Sequence, residues 1–372
     1  MNEINIAATL SSKRRERGLT QDDLAAHMGV SKASVSKWEC GQSYPDITLL
    51  PKLAAYFDLT IDELVDYHPQ LDKAAIRTLY HDLAAAFATE PFEGVLARCR
   101  EAIKAYYACY PLLLQMAVLL VNHAQLAPTP EEQQTLLEEA AALCQRIRQE
   151  SSDLWLNREA LSLEGMCQQF LGQPEKLVAL YGDTLHPLST DTGQLALAYQ
   201  KMQQPEKARR VLQVDMYQHL LFLVDEGSLL LSFYYDLPAR AEEIIQRTEA
   251  IIQTFALARL HPTVAINFYL TSALYYAGCQ DAERTLAQLT RYTEISIHDF
   301  FPYTLHGDDY FDLINPWLDE LQLGTAAPRS PRLIKDSLLE GLTQPPAFDF
   351  IRDDQRYEHL LQKLRFHLQD VQ

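Results

Sequence analysis

The reactive vocabulary of this chain is one of hydrogen-bond donors rather than nucleophiles. No Gly-rich phosphate loop, GxSxG or HExxH occurs in its 372 residues, so the usual constellations for phosphoryl transfer, acyl transfer and zinc-dependent hydrolysis are missing. Paired acids such as Glu131-Glu132 and Glu242-Glu243 fall on predicted helix surfaces, where solvation is their expected role, and no catalytic residue is assigned. The donors lie instead between Thr20 and Pro45, in TQDDLAAHMGVSKASVSKWECGQSYP. There Val35 and Trp38 fall three apart on one helical face and leave Lys32, Ala33, Ser34, Ser36 and Lys37 pointing elsewhere. That outward set is small and polar or cationic, which suits hydrogen bonding and charge attraction.

The elements that must hold this set are readable from local punctuation. Thr20 is an N-cap residue type, and Asp22 and Asp23 follow it where carboxylates suit the positive end of a helix dipole. Leu24, Ala25 and Met28 recur on one face, and Gly29 offers the positive φ of a sharp turn. Ser31 then caps a second short helix whose buried face is Val35 and Trp38.

Gln21, Leu24, Ala25, Gly29, Val30, Ser31, Ser36, Lys37, Trp38, Glu39, Gly41 and Pro45 match in order and spacing the Cro/repressor (XRE-like) helix-turn-helix family, which this stretch resembles. The resemblance covers roughly residues 5 to 67 and implies a five-helix DNA-binding unit. Its remaining helices are expected at Ile6 to Arg17, Asp46 to Phe57 and Ile61 to Val65. It further implies that the second helix of the motif enters the major groove of double-stranded DNA. Gln21 would touch the DNA backbone, Lys32 would approach bases with a preference for the guanine O6 and N7 acceptors, and Lys37 would reach a base or a phosphate. Ser34 and Ser36 complete the DNA-facing set. The sequence departs from the family at Ala33, where many relatives carry a base-reading Gln; alanine offers only apolar contact, so specificity should lean on DNA shape. Arg14 and Glu39 match a buried structural ion pair of the family.

Charge restricts how such a unit would work. The net charge is −18, and residues 1 to 67 carry seven Lys or Arg against ten Asp or Glu, a net of −3. Only a local cationic stripe of Lys13, Arg15, Arg17, Lys32 and Lys37 is available. Non-specific affinity should therefore be weak and strongly salt-dependent, and a homodimer with two stripes is expected for useful binding.

Six cysteines, Cys40, Cys99, Cys109, Cys144, Cys167 and Cys279, show neither CxxC nor Cys/His spacing, which reads as reduced thiols in a cytoplasmic protein without a structural metal or other cofactor. The first thirty residues are charged and motif-bearing, so no signal peptide is expected. The longest apolar stretches, Tyr110 to Val121 and His219 to Tyr235, are interrupted by Gln115 and by Asp225-Glu226, and neither should span a membrane.

An all-α chain is expected throughout. The organisation reads as a helix-turn-helix domain at 1–67, a hinge at 68–72, helical repeats at 73–297 and a helical C-terminal cap at 298–372. Helices should break at Glu90-Pro91, Tyr110-Pro111, Pro128 to Pro130, Gly172 to Pro174, Pro187 to Gly193, Gln204-Pro205, Leu237-Pro238, His261-Pro262 and Gly278. Glu164 to Tyr181 and Leu195 to Leu212 share Gln-Pro-Glu-Lys thirty-one residues apart, and Leu270 to Leu286 is a looser third copy. With Gly165, Leu171, Ala196, Tyr199, Ala208 and Leu212 at matching places, this run resembles tetratricopeptide repeats, about five or six of them. After Ile297, acids and histidines cluster among aromatics; His298, Asp299, His306, Asp308 and Asp309 fit no standard metal spacing, and helix capping by Asp308 or Asp309 is expected instead.

A DNA-binding head followed by such repeats resembles the peptide-sensing regulators of Gram-positive bacteria, which implies a dimeric transcription factor tuned by a short signalling peptide. Amides on inner helices can donate to and accept from a peptide backbone at once, and Asn122, Asn157, Gln168 and Asn267 are the candidates. Tyr199 and Tyr269 are read as core. Two other readings remain: a protein-interaction scaffold without a ligand, favoured by a flat apolar patch, or a dimerisation arm of a constitutive repressor.

Overall fold

Side-chain caps start three of the five α-helices of the N-terminal head in the computed structural model, which describes residues 5–67, 70–182 and 191–370. Five α-helices follow one another: α1 (Ile6–Glu16), α2 (Gln21–Met28), α3 (Lys32–Glu39), α4 (Leu50–Phe57) and α5 (Ile61–Val65). Thr20 and Asp23 form a reciprocal capping box on α2, and Thr60 and Glu63 repeat it on α5. Gly29 ends α2 with φ +72°, and the Ser31 hydroxyl then accepts from the Ser34 amide to start α3. The region expected to be a helix from Asp46 divides. The Asp46 carboxylate accepts from the Thr48 amide and closes a 3₁₀ turn at Ile47–Leu49 before α4 begins. These helices bury one core of Ile6, Leu10, Leu24, Val35, Trp38, Leu53, Phe57 and Leu64.

The remaining chain is helical, with no strand among the described residues. It continues as α6 (Lys73–Ala86), α7 (Phe92–Ala105), α8 (Tyr110–His123), α9 (Pro130–Glu150), α10 (Leu154–Phe170) and α11 (Pro174–Tyr181). Next come α12 (Asp191–Lys201), α13 (Pro205–Ser232), α14 (Pro238–Thr254), α15 (Leu257–Leu260) and α16 (Pro262–Gly278). The chain closes with α17 (Ala282–His298), α18 (Asn315–Asp319), α19 (Pro331–Thr343) and α20 (Gln355–Asp370). Prolines open α8, α9, α13, α14, α16 and α19 within their first turn, where a missing N–H costs nothing. The proposed hinge residues His68 and Pro69, and residues 187–190 of one expected break, lie outside the described residues.

The chain divides into two compact units, one built from the residues up to Thr78 with Pro91–Leu177, the other from Leu79–Glu90 with the residues from Val178 onward. Within the first, α8, α9 and α10 pack in succession around Leu113, Ala117, Leu136, Ala140, Cys144 and Ala160. Alanines at these seams let helix axes approach closely. Within the second, α13 packs on α14 and α16, α16 on α17, and α17 on α20. The Tyr292 hydroxyl donates to the Leu338 carbonyl at 2.9 Å and that of Tyr357 to Leu342 at 2.6 Å, fixing α19 to its neighbours.

Both Gln-Pro-Glu-Lys copies open a helix at their proline, and Gly165 and Ala196 are buried. Their helices are unequal, however. α11 has 8 residues and α13 has 28, because nothing between Pro205 and Ser232 breaks the helix.

Candidate nucleic-acid interface

α3 presents Lys32, Ala33 and Lys37 to solvent and Ser34 and Ser36 half-buried, while Val35 and Trp38 close onto the head core. The helix is held at both ends. At its start the Ser31 and Ser34 hydroxyls lie 2.9 Å apart. At its end Glu39 is gripped by Arg14, with Nε to Oε1 at 2.5 Å and Nη2 to Oε2 at 2.8 Å. Arg14 also donates through Nη1 to the Leu19 carbonyl at 2.7 Å, so one guanidinium ties α1, the α1–α2 turn and α3 together. Burial alone would raise the Glu39 pKa. Hydrogen bonds from Arg14 and Gln21, with the charge of Arg14, outweigh that and hold the carboxyl below its ordinary range, while Arg14 is pushed up. The sequence-based ion pair is therefore present in bidentate form.

Gln21 also belongs to this cluster. Its Nε2 donates to Glu39 Oε2 at 2.9 Å, which aims the amide at the base of α3. Lys32 is likewise engaged, with its Nζ 2.6 Å from Asp22 Oδ2. Both side chains of that pair are about 60 % exposed, and such pairs are worth about 0–1 kcal/mol, so Lys32 is readily released to a stronger acceptor.

The wider cationic stripe is partly committed. Lys13 pairs with Glu16 at 2.9 Å. Arg17 donates to the Tyr56 carbonyl and lies over the Tyr56 and Phe57 rings at 5.9 and 5.6 Å from their centroids. Arg15 and Lys37 are exposed. Beyond α3, Gly41 turns the chain with φ +71° and leads to Tyr44, which is 64 % exposed. A phenolic hydroxyl there can donate to a phosphate. Periodicity reasoning passed over Tyr44 because it lies in no helix; an aromatic residue beside Pro45 in a polar turn was the available signal.

The described geometry defines a helix-turn-helix domain, and residues 10–64 match the helix-turn-helix family. Over 56 residues the chain is 41 % identical to the HTH-type transcriptional activator BcrR of Enterococcus faecalis, a stretch that is 15 % of this chain and 28 % of that protein. The chain is also similar, at 14 % identity, to the crystal structure of Bacillus thuringiensis PlcR in complex with the peptide PapR7 and DNA. That match covers 98 % of this chain and 95 % of that one at a TM-score of 0.22, too low to bear on function.

The four candidate ligand amides divide between the two units. Asn122, on α8, and Asn157 and Gln168, on α10, fall in the first, and Asn267, on α16, falls in the second. Asn157 donates to the Ser151 carbonyl at 3.0 Å and so pins the turn ahead of α10, while its Oδ1 is buried with no partner. Gln168 is buried and its Oε1 is likewise unpartnered. Eleven residues apart, these two share one helical face about 16 Å along the axis. Asn122 is half-buried and interacts within the chain, and Asn267 is exposed. Tyr269 is core, as expected, whereas Tyr199 is half-buried with Lys207 over its ring.

His298, Asp299, His306, Asp308 and Asp309 line one cavity of about 560 Å³ with Arg259 and Tyr310. Among the described residues, no three His, Cys, Asp or Glu side chains come close enough to hold a metal. Asp308 accepts from the Tyr310 and Phe311 amides at 3.0 and 2.8 Å, but this closes a turn and not the expected helix cap, since α18 begins only at Asn315. No helix of the described residues is long and apolar enough to cross a membrane.

Proposed function

We propose that this chain is a sequence-specific, DNA-binding transcription regulator in which α3 reads the major groove and the helical region after the head dimerises and senses a short peptide. The observation that carries the DNA-binding reading is the α3 face: two lysines and two serines outside a Val35/Trp38 core, on a helix clamped by Arg14 and Glu39. Lys32 and Lys37 supply base or phosphate contacts, Gln21 turns from Glu39 toward the DNA backbone, and Ala33 contributes only apolar contact. Recognition therefore leans on DNA shape.

Dimerisation is supported by α13 and its C-cap, which leave Phe222, Leu223, Leu229, Leu230 and the capping Phe233 between 46 and 71 % exposed along one long helix. A second copy would cover such a surface and set two heads on half-sites about one turn apart, roughly 34 Å. The same apolar exposure also favours the scaffold reading, in which a different protein occupies that helix. Peptide sensing draws on the amide oxygens of Asn157 and Gln168, which lack a partner but are buried, so a peptide N–H would reach them only after these side chains turn outward.

The test is selection of an operator from random duplexes, followed by binding of Lys32→Ala/Lys37→Ala to it, with sedimentation of the free and bound protein. Each lost base contact should cost about 1–3 kcal/mol with the fold intact. Unchanged operator affinity would remove α3 as the reader, and a monomer on a single half-site would remove the dimer.

A further inference from the structure

A second cavity, of about 410 Å³, lies wholly within the second unit, between α6, the loop before α18 and the start of α19. Its walls are mainly apolar, with Ala84 and Ala85 of α6, Phe301, Tyr303 and Ile334 among them. Cationic groups stand in these walls. Arg329 and Lys335 both line the cavity, and the Lys335 ammonium sits 5.7 Å from the Phe301 ring centroid.

Arg329 is the unusual member. Its Nη1 donates to the Ser337 hydroxyl at 3.0 Å, but its Nε is buried with no partner. No carboxylate of the described residues pairs with it. Asp336 and Glu340 act only at longer range, and burial, the larger effect, destabilises its charged form. A half-buried guanidinium with no carboxylate partner is costly unless an anion offsets its charge. The elements that hold it are themselves well tied. Tyr80 of α6 donates to the Pro328 carbonyl at 3.0 Å, and Arg332 donates to the Ala88 carbonyl at 3.2 Å, so the cavity has built walls rather than a loose surface.

We propose that this cavity binds a small carboxylate carried on an apolar body, with the carboxylate on Arg329 and the apolar part against Ala84, Phe301 and Ile334. The planar fork of an arginine matches a carboxylate in two parallel hydrogen bonds, and a pocket of this size accommodates about ten heavy atoms or more. A fatty acid and the free C-terminus of a hydrophobic peptide offer the same chemistry. The assignment is independent of the DNA-binding reading, since it concerns other residues and another ligand.

The test is isothermal titration of the full chain with decanoate and with N-acetyl-Leu-Phe bearing a free carboxylate, each beside its neutral counterpart, decanol and the peptide amide. One carboxylate should bind per chain, its neutral counterpart at least tenfold more weakly, and the stronger of the two acids identifies the source. Arg329→Gln should weaken that acid at least tenfold, and Ile334→Trp, which fills the cavity, should abolish binding, with thermal unfolding as the check on folding. If Arg329→Gln does not fold, the acid-to-neutral comparison in the unmodified chain and Ile334→Trp decide. The proposal is overturned if neither acid binds, if neutral counterparts bind as tightly, or if a folded Arg329→Gln or Ile334→Trp binds like the unmodified chain.

Discussion

Glu39 does two jobs with one carboxylate, compensating the buried Arg14 guanidinium and holding Gln21 at the root of α3. Removing it leaves a cation with only the Leu19 carbonyl, and breaking one side of a buried pair typically costs about 3–5 kcal/mol. Glu39→Ala should therefore lower, without abolishing, amide-exchange protection across α1 to α3. The pH dependence follows from the direction of the shift. Since the folded carboxyl titrates below its unfolded value of about 4.3, its contribution is fully present above that pH and is lost as pH falls through the lower, folded value. Exchange protection of the head should accordingly hold from neutrality to about pH 5 and fall only in stronger acid, and Glu39→Ala should flatten that acid limb. Asp22 makes the opposite kind of contribution. It competes for Lys32 across an exposed pair, so Asp22→Asn should raise operator affinity several-fold at low salt, with little change in thermal stability. An affinity loss in that variant would mean that the pair positions Lys32 instead.

Among the elements, the head was the most legible because, although the starts of α1 and α4 carry no side-chain cap, most of its boundaries are marked by residue type, at Thr20 and Asp23, Gly29, Ser31, Thr60 and Glu63. Their signals are local and survive any tertiary context. The break between α9 and α10 is not legible in the sequence, because no proline or glycine marks it. Asp153 makes it, accepting from the Trp155 and Leu156 amides at 2.9 and 3.1 Å. The break after α14 is equally hidden, since Ala256 takes a positive φ that its residue type does not announce. Residues that serve the site through an acid–amide network, such as Gln21, were legible only in part, because which partner an amide chooses is decided by packing. Long α13 has its own constraint where it meets α14. A Cβ at Gly227 would sit 2.6 Å from the Thr248 hydroxyl oxygen, on a stiff β-branched side chain. Gly227→Ala should cost about 1–3 kcal/mol, and Thr248→Ser, which retains the hydroxyl but removes the methyl group, should relieve part of it; equal urea midpoints for Gly227→Ala with and without Thr248→Ser would argue that the helices simply move apart.

At the scale of the whole molecule, charge and chemistry pull in different directions. The chain carries −18 overall, yet its proposed ligand is itself a polyanion. Few phosphate contacts can be made, because Lys13 and Arg17 already serve the head and Lys32 is shared with Asp22. With about three phosphates neutralised per head, a dimer should show a slope of log affinity against log salt near −5, by the rule of about −0.9 per contact. Titration between 50 and 200 mM salt measures it, and a slope near −10 would reveal cations supplied from outside the head.

That shortage of free cations has a consequence for how such a protein would share itself among sites. A regulator with a broad basic face spends most of its time on unrelated DNA, so its operator competes with the entire chromosome for every copy. Here the Arg17 side chain is folded onto Tyr56 and Phe57 rather than left to grip phosphate at large. On the proposed function, the reservoir of non-specific binding would be correspondingly shallow, and occupancy of an operator would follow the number of molecules present almost directly, with little buffering by the genome.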